Sequence, residues 1–379
     1  MPKQHIDIWA PSILETGGIQ EYGRVFIKTL IELNYDNLRV FLRNDNKRST
    51  EHDWLQKTSV FPTVSTNKYT QIIFFIGNVI FRILKRKPNL IIVTHPHFAK
   101  FAAIISKYFG IPYWTIIYGE EVWDLHKKLD IWGISNSEKI ISISKLTAER
   151  ILQQLPDLTN KISILPCTAN FEKYTIKNEK PEYLLRHHNL TKDEKIILTV
   201  GRLDPSQQYK GHDAIISQLS KIALTVGKIK YLIVGSGGDK VRLEKLVDSF
   251  NVSHMVIFVG RVKDEEISDY YNLCDVFAMP SSGEGFGIVF LEALACGKPA
   301  IGGKDDGAKD ALLEGECGIL IDPKNAEEVA NSISEILTKN PKHQKLYNSE
   351  NLRSRAIEAF GEKSFINRLS ILLNNLDCK

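Results

Sequence analysis

Short apolar runs alternate with longer amphipathic segments along the whole chain. In the first half, the predicted strands are HIDIWA, LRVFLR, LIIVTH, YWTIIYG, KIISIS and ISILPC. In the second half, they are KIILTVGR, YLIVGSG, VIFVGR, DVFAMP, KPAIGG and GILIDP. Helix-like stretches follow several of these runs. Such alternation is typical of parallel sheets covered by helices on both faces, and two series predict two doubly wound α/β domains.

The break between the two series sets the predicted domain boundaries. Residues 171–193 are polar and charged without steady periodicity, so we predict a linker there. The first domain is then expected at 1–170 and the second at 194–360. Residues 361–379 carry apolar side chains at helical spacing, so this segment needs a surface to pack against.

One segment of the first half, residues 72–87, is apolar and then turns basic. It is too short to span a bilayer core of roughly 30 Å. Two interpretations stay open. It is a buried helix of the first domain, or it is an interfacial helix whose cations meet anionic lipid headgroups. These cations are Arg82, Lys85, Arg86 and Lys87.

Composition narrows the class of protein. The chain has 379 residues, of which 43% are apolar and 25% charged, as expected for a globular protein of two domains. A net charge of +4 is small for this length and argues against nucleic-acid binding. The five cysteines lie far apart without metal-ligand spacing, and the N-terminus lacks an apolar signal core. A cytoplasmic location is therefore expected.

The most informative stretch is SSGEGFGIVFLEALACGKPAI, residues 281–301. It places Glu284 and Glu292 on either side of a glycine-rich turn that leads into a helix, where backbone N–H groups favour an anion. Carboxylates beside a diphosphate would repel it, so the two glutamates are expected to accept hydrogen bonds from hydroxyl groups. A diphosphate flanked by hydroxyl-rich rings is a nucleotide sugar. The alternative interpretation is a helix cap and a solvated helix face.

The motif EGFGIVFLE, with GKPAIGG behind it, resembles the Glu, seven residues, Glu motif of retaining glycosyltransferases of the GT-B fold, in particular the family-four group. The segments TGGIQEY, GRLDPSQQYKGHD and FVGRV before CDVFAMPS are also similar to that family. The resemblance implies two Rossmann-like domains that face a cleft, with the acceptor domain first and the nucleotide-sugar domain second. It also implies that the terminal helix crosses back onto the first domain.

The resemblance further implies a role for single residues. Glu284, Arg202 and Lys210 are the predicted catalytic residues, and the two cations would neutralise the diphosphate. Glu292 would bind the ribose. The predicted donor-binding set is Gly17, Gly18, Arg202, Lys210, Arg261, Val262, Glu284, Gly285, Phe286, Gly287, Ile288, Val289 and Glu292. The insert LDPSQQY separates Arg202 from Lys210, so the sequence alone leaves open whether Lys210 reaches the diphosphate.

The acceptor side is less well defined. Tyr118 of YGEEVWD stands where the family often has a histidine near the reacting sugar. The candidates for that histidine's role are Glu120, Glu121, His95 and His97. The predicted acceptor-side residues are His95, His97, Tyr118 and Glu120.

The reaction implied is transfer of a hexose from a nucleoside diphosphate sugar to an acceptor hydroxyl with retention of configuration. UDP-glucose is the first expected donor and GDP-mannose the next. The expected acceptor is a glycan or a lipid-linked glycan, in polysaccharide or cell-envelope synthesis. Because no Asp-any-Asp motif occurs, neither a metal nor a cofactor is expected, and the positive charge would come from Arg202, Lys210 and helix dipoles.

Other classes of protein are alternatives to a glycosyltransferase. A nucleotide-sugar epimerase or a phosphorylase would use a similar cleft, and a noncatalytic protein of the same fold would bind the nucleotide without turnover. A dehydrogenase is disfavoured, because Lys240 in VGSGGDK stands where a dinucleotide fingerprint needs its third glycine.

Overall fold

A computed structural model describes residues 4–15, 17–45, 56–63 and 67–377. Its contacts divide the chain into two compact units. Unit 1 takes its residues from Met1–Cys167 and Phe365–Lys379, and unit 2 is Thr168–Ser364. Each unit is built around its own parallel sheet.

Unit 1 contains a seven-stranded sheet in the order β3-β2-β1-β4-β5-β6-β7, with every neighbouring pair parallel. The strands are β1 Ile6–Ala10, β2 Leu38–Leu42, β3 Ser59–Pro62, β4 Leu90–Val93, β5 Tyr113–Ile117, β6 Lys139–Ser142 and β7 Ile162–Ile164. The helices are α1 Gly18–Glu32, α2 Lys68–Lys85, α3 Ala99–Phe109, α4 Glu120–Trp123, α5 Lys128–Ser135 and α6 Lys145–Gln154. Strands β1, β4 and β5 are buried along their whole length, as expected for strands covered on both faces.

Unit 2 contains a six-stranded sheet in the order β10-β9-β8-β11-β12-β13, again with parallel pairs throughout. The strands are β8 Lys195–Val200, β9 Ile229–Val234, β10 Val256–Gly260, β11 Val276–Met279, β12 Ala300–Gly303 and β13 Gly318–Ile321. The helices are α7 Glu182–His187, α8 His212–Ile216, α9 Leu219–Val226, α10 Lys240–Ser249, α11 Ile267–Leu273, α12 Ile288–Ala295, α13 Ala308–Ala311, α14 Ala326–Leu337 and α15 Ser349–Phe360.

The last helix, α16, runs over Glu362–Asp377, and from Phe365 onward its residues belong to unit 1. The ring of Phe365 packs edge-on against Tyr22 of α1 with centroids 5.8 Å apart. The Nζ of Lys139 donates to the carbonyl of Leu372. The apolar face of this helix therefore has its packing surface in unit 1.

The predicted class, two doubly wound parallel α/β domains, is confirmed, with one strand missed. Strand β3 is a four-residue edge strand that ends at Pro62, so it carries little periodic signal. Residues 171–193, predicted as a linker, lie in unit 2 and contain α7. The side chain of Asn272 accepts from the N–H of Lys177 and donates to the carbonyl of Thr175.

In each sheet, the first strand in the sequence lies in the interior of the sheet. The next two strands lie on one side of it, and the remaining strands lie on the other side. The order reverses between β1 and β4 in unit 1, and between β8 and β11 in unit 2. Ligands of open α/β sheets bind beyond the carboxyl ends of strands at this switch point. A ligand site is therefore expected at the loops that follow β8 and β11, residues 201–211 and 280–287.

Candidate functional site

The switch-point loops of unit 2 bring Lys210 and Glu284 together. The Nζ of Lys210 lies 3.1 Å from the Oε2 of Glu284, and their side chains are 11% and 19% exposed. Arg202 follows β8 directly and is exposed, without an ion pair to any carboxylate in the described part of the chain. The site thus holds one paired cation and one cation open to solvent.

The geometry of the insert explains how Lys210 reaches Glu284. Residues Pro205–Lys210 form a 3-10 helix, which Asp204 caps by accepting from the N–H of Ser206 at 2.9 Å. Gly211 then turns the chain with φ of 82°, and a Cβ there would lie 2.1 Å from the carbonyl oxygen of Pro280. Only glycine allows both this turn and this close approach.

A carboxylate that the sequence analysis missed, Asp306, holds the loop of Glu284. Its Oδ2 accepts from the Oγ of Ser281 at 2.5 Å and from the N–H of Glu284 at 3.1 Å. Its Oδ1 accepts from the N–H of Ala308 at 2.9 Å. Burial, with the nearby charge of Glu284, raises the pKa of Asp306 to about 7. Asp306 therefore fixes the backbone from which the Glu284 side chain projects.

Glycines close the gap between this loop and the loop after β12. A Cβ at Gly307 would lie 2.3 Å from the carbonyl of Gly285, and one at Gly303 would lie 1.9 Å from the carbonyl oxygen of Ser281. The N–H of Gly307 also donates to the carbonyl of Glu284 at 2.7 Å. The two loops are packed backbone to backbone, and this packing holds the Glu284 loop in place.

The turn from this loop into α12 leaves backbone donors at the carboxyl edge of the sheet. Gly287, with φ of 85°, precedes the helix, and no side chain caps its N-terminus. Phe286 is buried and anchors the turn, while Ile288 and Val289 begin the helix. Uncapped N–H groups at a helix N-terminus favour an anion.

Glu292, one turn further along α12, is surrounded by tyrosines. The hydroxyl of Tyr271 donates to its Oε2 at 2.6 Å, and Tyr174 also hydrogen bonds to the carboxylate. Burial raises the pKa of Glu292, and the two hydroxyls act in the opposite direction by stabilising the ionised form. Glu292 is thus a held, half-buried carboxylate, not a residue of a solvated helix face.

Hydrogen bonds from Arg353 connect the segment that carries Tyr174 to α12. The guanidinium of Arg353 donates to the carbonyls of Phe171, Tyr174 and Ala295, the last residue of α12. The rings of Tyr174 and Tyr271 meet edge-on with centroids 5.7 Å apart. These contacts join the segment to the helix that carries Glu292.

Arg261 and Val262 follow β10, two strands away from β8. The next acidic residue of this loop, Asp264, pairs with Lys173 at 2.6 Å, and both charges act on the pKa of Glu292. The β10 loop therefore lies near Glu292.

In unit 1, Gly17 and Gly18 lie at the start of α1, after β1. His95 and His97 follow β4, with stacked rings 4.6 Å apart, and burial lowers the pKa of His95 to about 4. These four residues therefore lie at the switch point of the unit 1 sheet.

Tyr118 and Glu120, also predicted on the acceptor side, differ in exposure. Tyr118 is buried against the ring of Tyr22, while Glu120 is exposed. The N–H of Tyr118 donates to the carboxylate of Glu121. Across residues 4–15, 17–45, 56–63 and 67–377, no three His, Cys, Asp or Glu side chains are grouped to hold a metal ion.

Residues 182–353 match the family model for glycosyl transferases group 1. The chain is 31% identical over 152 residues to a GDP-mannose-dependent alpha-(1-6)-phosphatidylinositol monomannoside mannosyltransferase of Mycolicibacterium smegmatis, which is 38% of this chain and 39% of that protein. It is 29% identical over 218 residues to a D-inositol 3-phosphate glycosyltransferase of Corynebacterium urealyticum, covering 53% and 51%. The chain thus spans about two fifths to half the length of these curated relatives.

Two solved structures match almost the whole chain. Sucrose-phosphate synthase from Thermosynechococcus elongatus has a TM-score of 0.82 at 21% identity, covering 99% of this chain and 100% of that one. Anabaena HepE in complex with UDP and glucose has a TM-score of 0.79 at 18% identity, covering 98% and 100%. At these identities the likeness concerns the fold, and it confirms the predicted fold.

Proposed function

We propose that the chain, whose residues 182–353 match the family model for glycosyl transferases group 1 and whose fold is GT-B, is a retaining, metal-independent hexosyltransferase. The donor is a nucleoside diphosphate sugar and the acceptor carries a free hydroxyl. The observation that carries the proposal is the Lys210 ammonium 3.1 Å from the Glu284 carboxylate, at the switch point beside the uncapped start of α12.

The donor is proposed to lie across the loops of unit 2. Its diphosphate would meet Lys210, Arg202 and the first N–H groups of α12, since all three are donors to an anion. Glu284 and the backbone of residues 285–287 would receive the hydroxyls of the transferred sugar. Glu292 would accept from the ribose, which its position near the tyrosines supports.

The remaining donor contacts involve the β10 loop and unit 1. Arg261 and Val262 are proposed to meet the base, which is consistent with the place of the β10 loop near Glu292. Gly17 and Gly18 would approach the donor from unit 1. The acceptor-side residues are proposed to be His95, His97, Tyr118 and Glu120.

The proposed chemistry needs no side-chain base. The acceptor oxygen attacks the anomeric carbon from the face that the phosphate leaves, the bond from that carbon to the phosphate oxygen breaks, and the departing phosphate takes the acceptor proton. Negative charge grows on the leaving group, and Lys210 and Arg202 would neutralise it. In the structure, Glu284 pairs with Lys210 at 3.1 Å. With the donor bound, the ammonium turns to the diphosphate and the carboxylate to the sugar hydroxyls.

UDP-glucose is the proposed donor, supported by the UDP and glucose bound to HepE. GDP-mannose is the second choice, supported by the name of the mycobacterial relative. The proposed acceptor is a glycan or a lipid-linked glycan of polysaccharide or cell-envelope synthesis. The proposal includes a cytoplasmic location and contact of residues 72–87 with the cytoplasmic face of the membrane.

The proposal is tested by the release of nucleoside diphosphate from UDP-, GDP- and ADP-sugars, with and without EDTA. Release from one donor, insensitive to EDTA and lost in Glu292→Ala but kept in the exposed control Glu350→Ala, would support it. Consumption of the donor without nucleotide release would indicate an epimerase. Absence of both release and saturable nucleotide binding would overturn the proposal.

A further inference from the structure

A long stretch of unit 1 contains no acidic residue. Residues 54–119 lack Asp and Glu, although the chain holds 45 of them in 379 residues, so a stretch of this length would hold about eight on average. The same stretch contains eight cations, which are Lys57, Lys68, Arg82, Lys85, Arg86, Lys87, Lys100 and Lys107. Any surface built from these residues attracts anions.

Helix α2 lies in this stretch and is apolar on both faces. Its inner face, with Phe75, Val79 and Ile83, is buried in the core of unit 1. Its outer face exposes large apolar side chains, which are Ile73 at 68%, Phe74 at 60%, Phe81 at 51% and Leu84 at 71%. A helix that is apolar all round is normally covered on all sides, so this outer face calls for a partner.

Cations border the apolar outer face at one end. The Nζ of Lys85 lies 4.4 Å from the ring centroid of Phe81, and the guanidinium of Arg82 lies 4.1 Å from that of Phe61. Arg86 and Lys87 are exposed just beyond the helix. None of these four cations pairs with a carboxylate among the residues that the structure describes, so their charge is available to a partner.

Helix α3 extends the same surface. It carries exposed Ile104 and Tyr108, and Lys107 lies exposed beside them. The chain crosses the sheet in one direction from β3 to β4 and from β4 to β5, so right-handed connections place α2 and α3 on one face of the sheet. Phe75 of α2 stacks on Phe98, which directly precedes α3, at 5.0 Å. The outer sides of both helices therefore point away from the same sheet face.

We propose that the outer faces of α2 and α3 dock unit 1 on an anionic lipid surface. Apolar side chains enter the headgroup region while the cations at their border meet lipid phosphates. This inference rests on the proposed function, because a transferase held at a lipid surface is suited to an acceptor carried by a lipid. A symmetric contact with a second copy is disfavoured, since it would bring two sets of like charges together.

Flotation of the full chain with vesicles tests the proposal. We expect binding to phosphatidylglycerol-containing vesicles, weakened by high salt, and little binding to pure phosphatidylcholine. Lys85→Glu with Lys87→Glu should lower the partition coefficient at least about 25-fold, at about fivefold per lost cation. Phe74→Ser should lower it roughly tenfold. The matched controls Leu224→Ser, at a residue 89% exposed on α9, and Lys245→Glu should bind as the unaltered chain does.

Two measurements beside flotation separate the possible failures. Nucleotide release should be unchanged in all these variants, because none lies in the donor site. Nucleotide release without vesicle binding would overturn the lipid-docking proposal and leave the proposed transferase function standing. Vesicle binding without nucleotide release would overturn the proposed transferase function and leave the docking surface standing. A dimer that Phe74→Ser dissociates, seen by sedimentation, would also overturn the lipid proposal.

Discussion

Replacing Lys210 by Met should destabilise the protein through the charge that it leaves behind. At 3.1 Å, with an effective dielectric constant of about 20, the attraction to Glu284 is about 5 kcal/mol. Desolvation of both groups offsets most of this attraction. Removing only one partner leaves a largely buried carboxylate unpaired, which should lower the free energy of unfolding by about 3 kcal/mol.

Urea unfolding of Lys210→Met, Glu284→Gln and the double variant measures the coupling between the two side chains. We expect a coupling energy of about 2 kcal/mol, because the double variant strands no charge. The control is Lys228→Met, whose partner Asp193 also lies at 3.1 Å but on the surface, and which should have no measurable effect. Additive effects in the cycle, or equal effects of Lys210→Met and Lys228→Met, would refute the reasoning.

The same variants separate stability from catalysis. Lys210→Met should lower kcat/KM by about two to three orders of magnitude, because the cation proposed to neutralise the leaving group is gone. Adding Glu284→Gln should restore stability without restoring activity. Recovery of activity in the double variant would show that Lys210 acts only as the partner of Glu284.

Three further predictions concern the groups that hold the site. Above a pH of about 7, where Asp306 is ionised, Asp306→Asn should lower the free energy of unfolding by about 2 kcal/mol, measured in urea, because an amide cannot accept hydrogen bonds on both sides. The pKa of Asp306 is about 7 in the native state and 3.8 in the unfolded state, so the native state binds more protons between these two pH values. The free energy of unfolding of the unaltered chain should therefore fall as the pH rises from 3.8 to about 7, and it should fall less in Asp306→Asn. Tyr271→Phe should raise the pKa of Glu292 further and move the acid limb of kcat/KM to higher pH; an unmoved limb would contradict its role. Gly307→Ala should weaken donor binding at least tenfold by calorimetry, whereas Gly238→Ala, which has room for a Cβ, should not.

Much of the fold was predictable because doubly wound domains repeat one simple pattern. A buried apolar strand followed by a helix is visible within about 25 residues, and twelve of the thirteen strands of the structure overlap the predicted runs. The exception, β3, is short and lies at an edge. Its position depends on pairing with β2, which leaves no periodic trace.

The site was predictable only where a motif carried it. Glu284 and Glu292 are eight residues apart in one motif, so the sequence alone links them. Asp306 contacts Ser281 across 25 residues of sequence, and Tyr174 contacts Glu292 across an even longer separation. Contacts between residues so far apart in the chain produce no recognisable spacing in the sequence. For Asp306, the sequence offered only the presence of an aspartate between the glycines of GGKDDG.

The backbone packing of the loops after β8, β11 and β12 bears on how proteins of this fold diverge. The loops after β8, β11 and β12 hold one another through glycines and Asp306, and all of them lie in unit 2. A change in one of these loops must therefore be matched in the others. The family model covers residues 182–353 and none of the first 181. Under the proposed function, a lineage would exchange one acceptor for another by altering unit 1 while it keeps the packed loops of unit 2 unchanged.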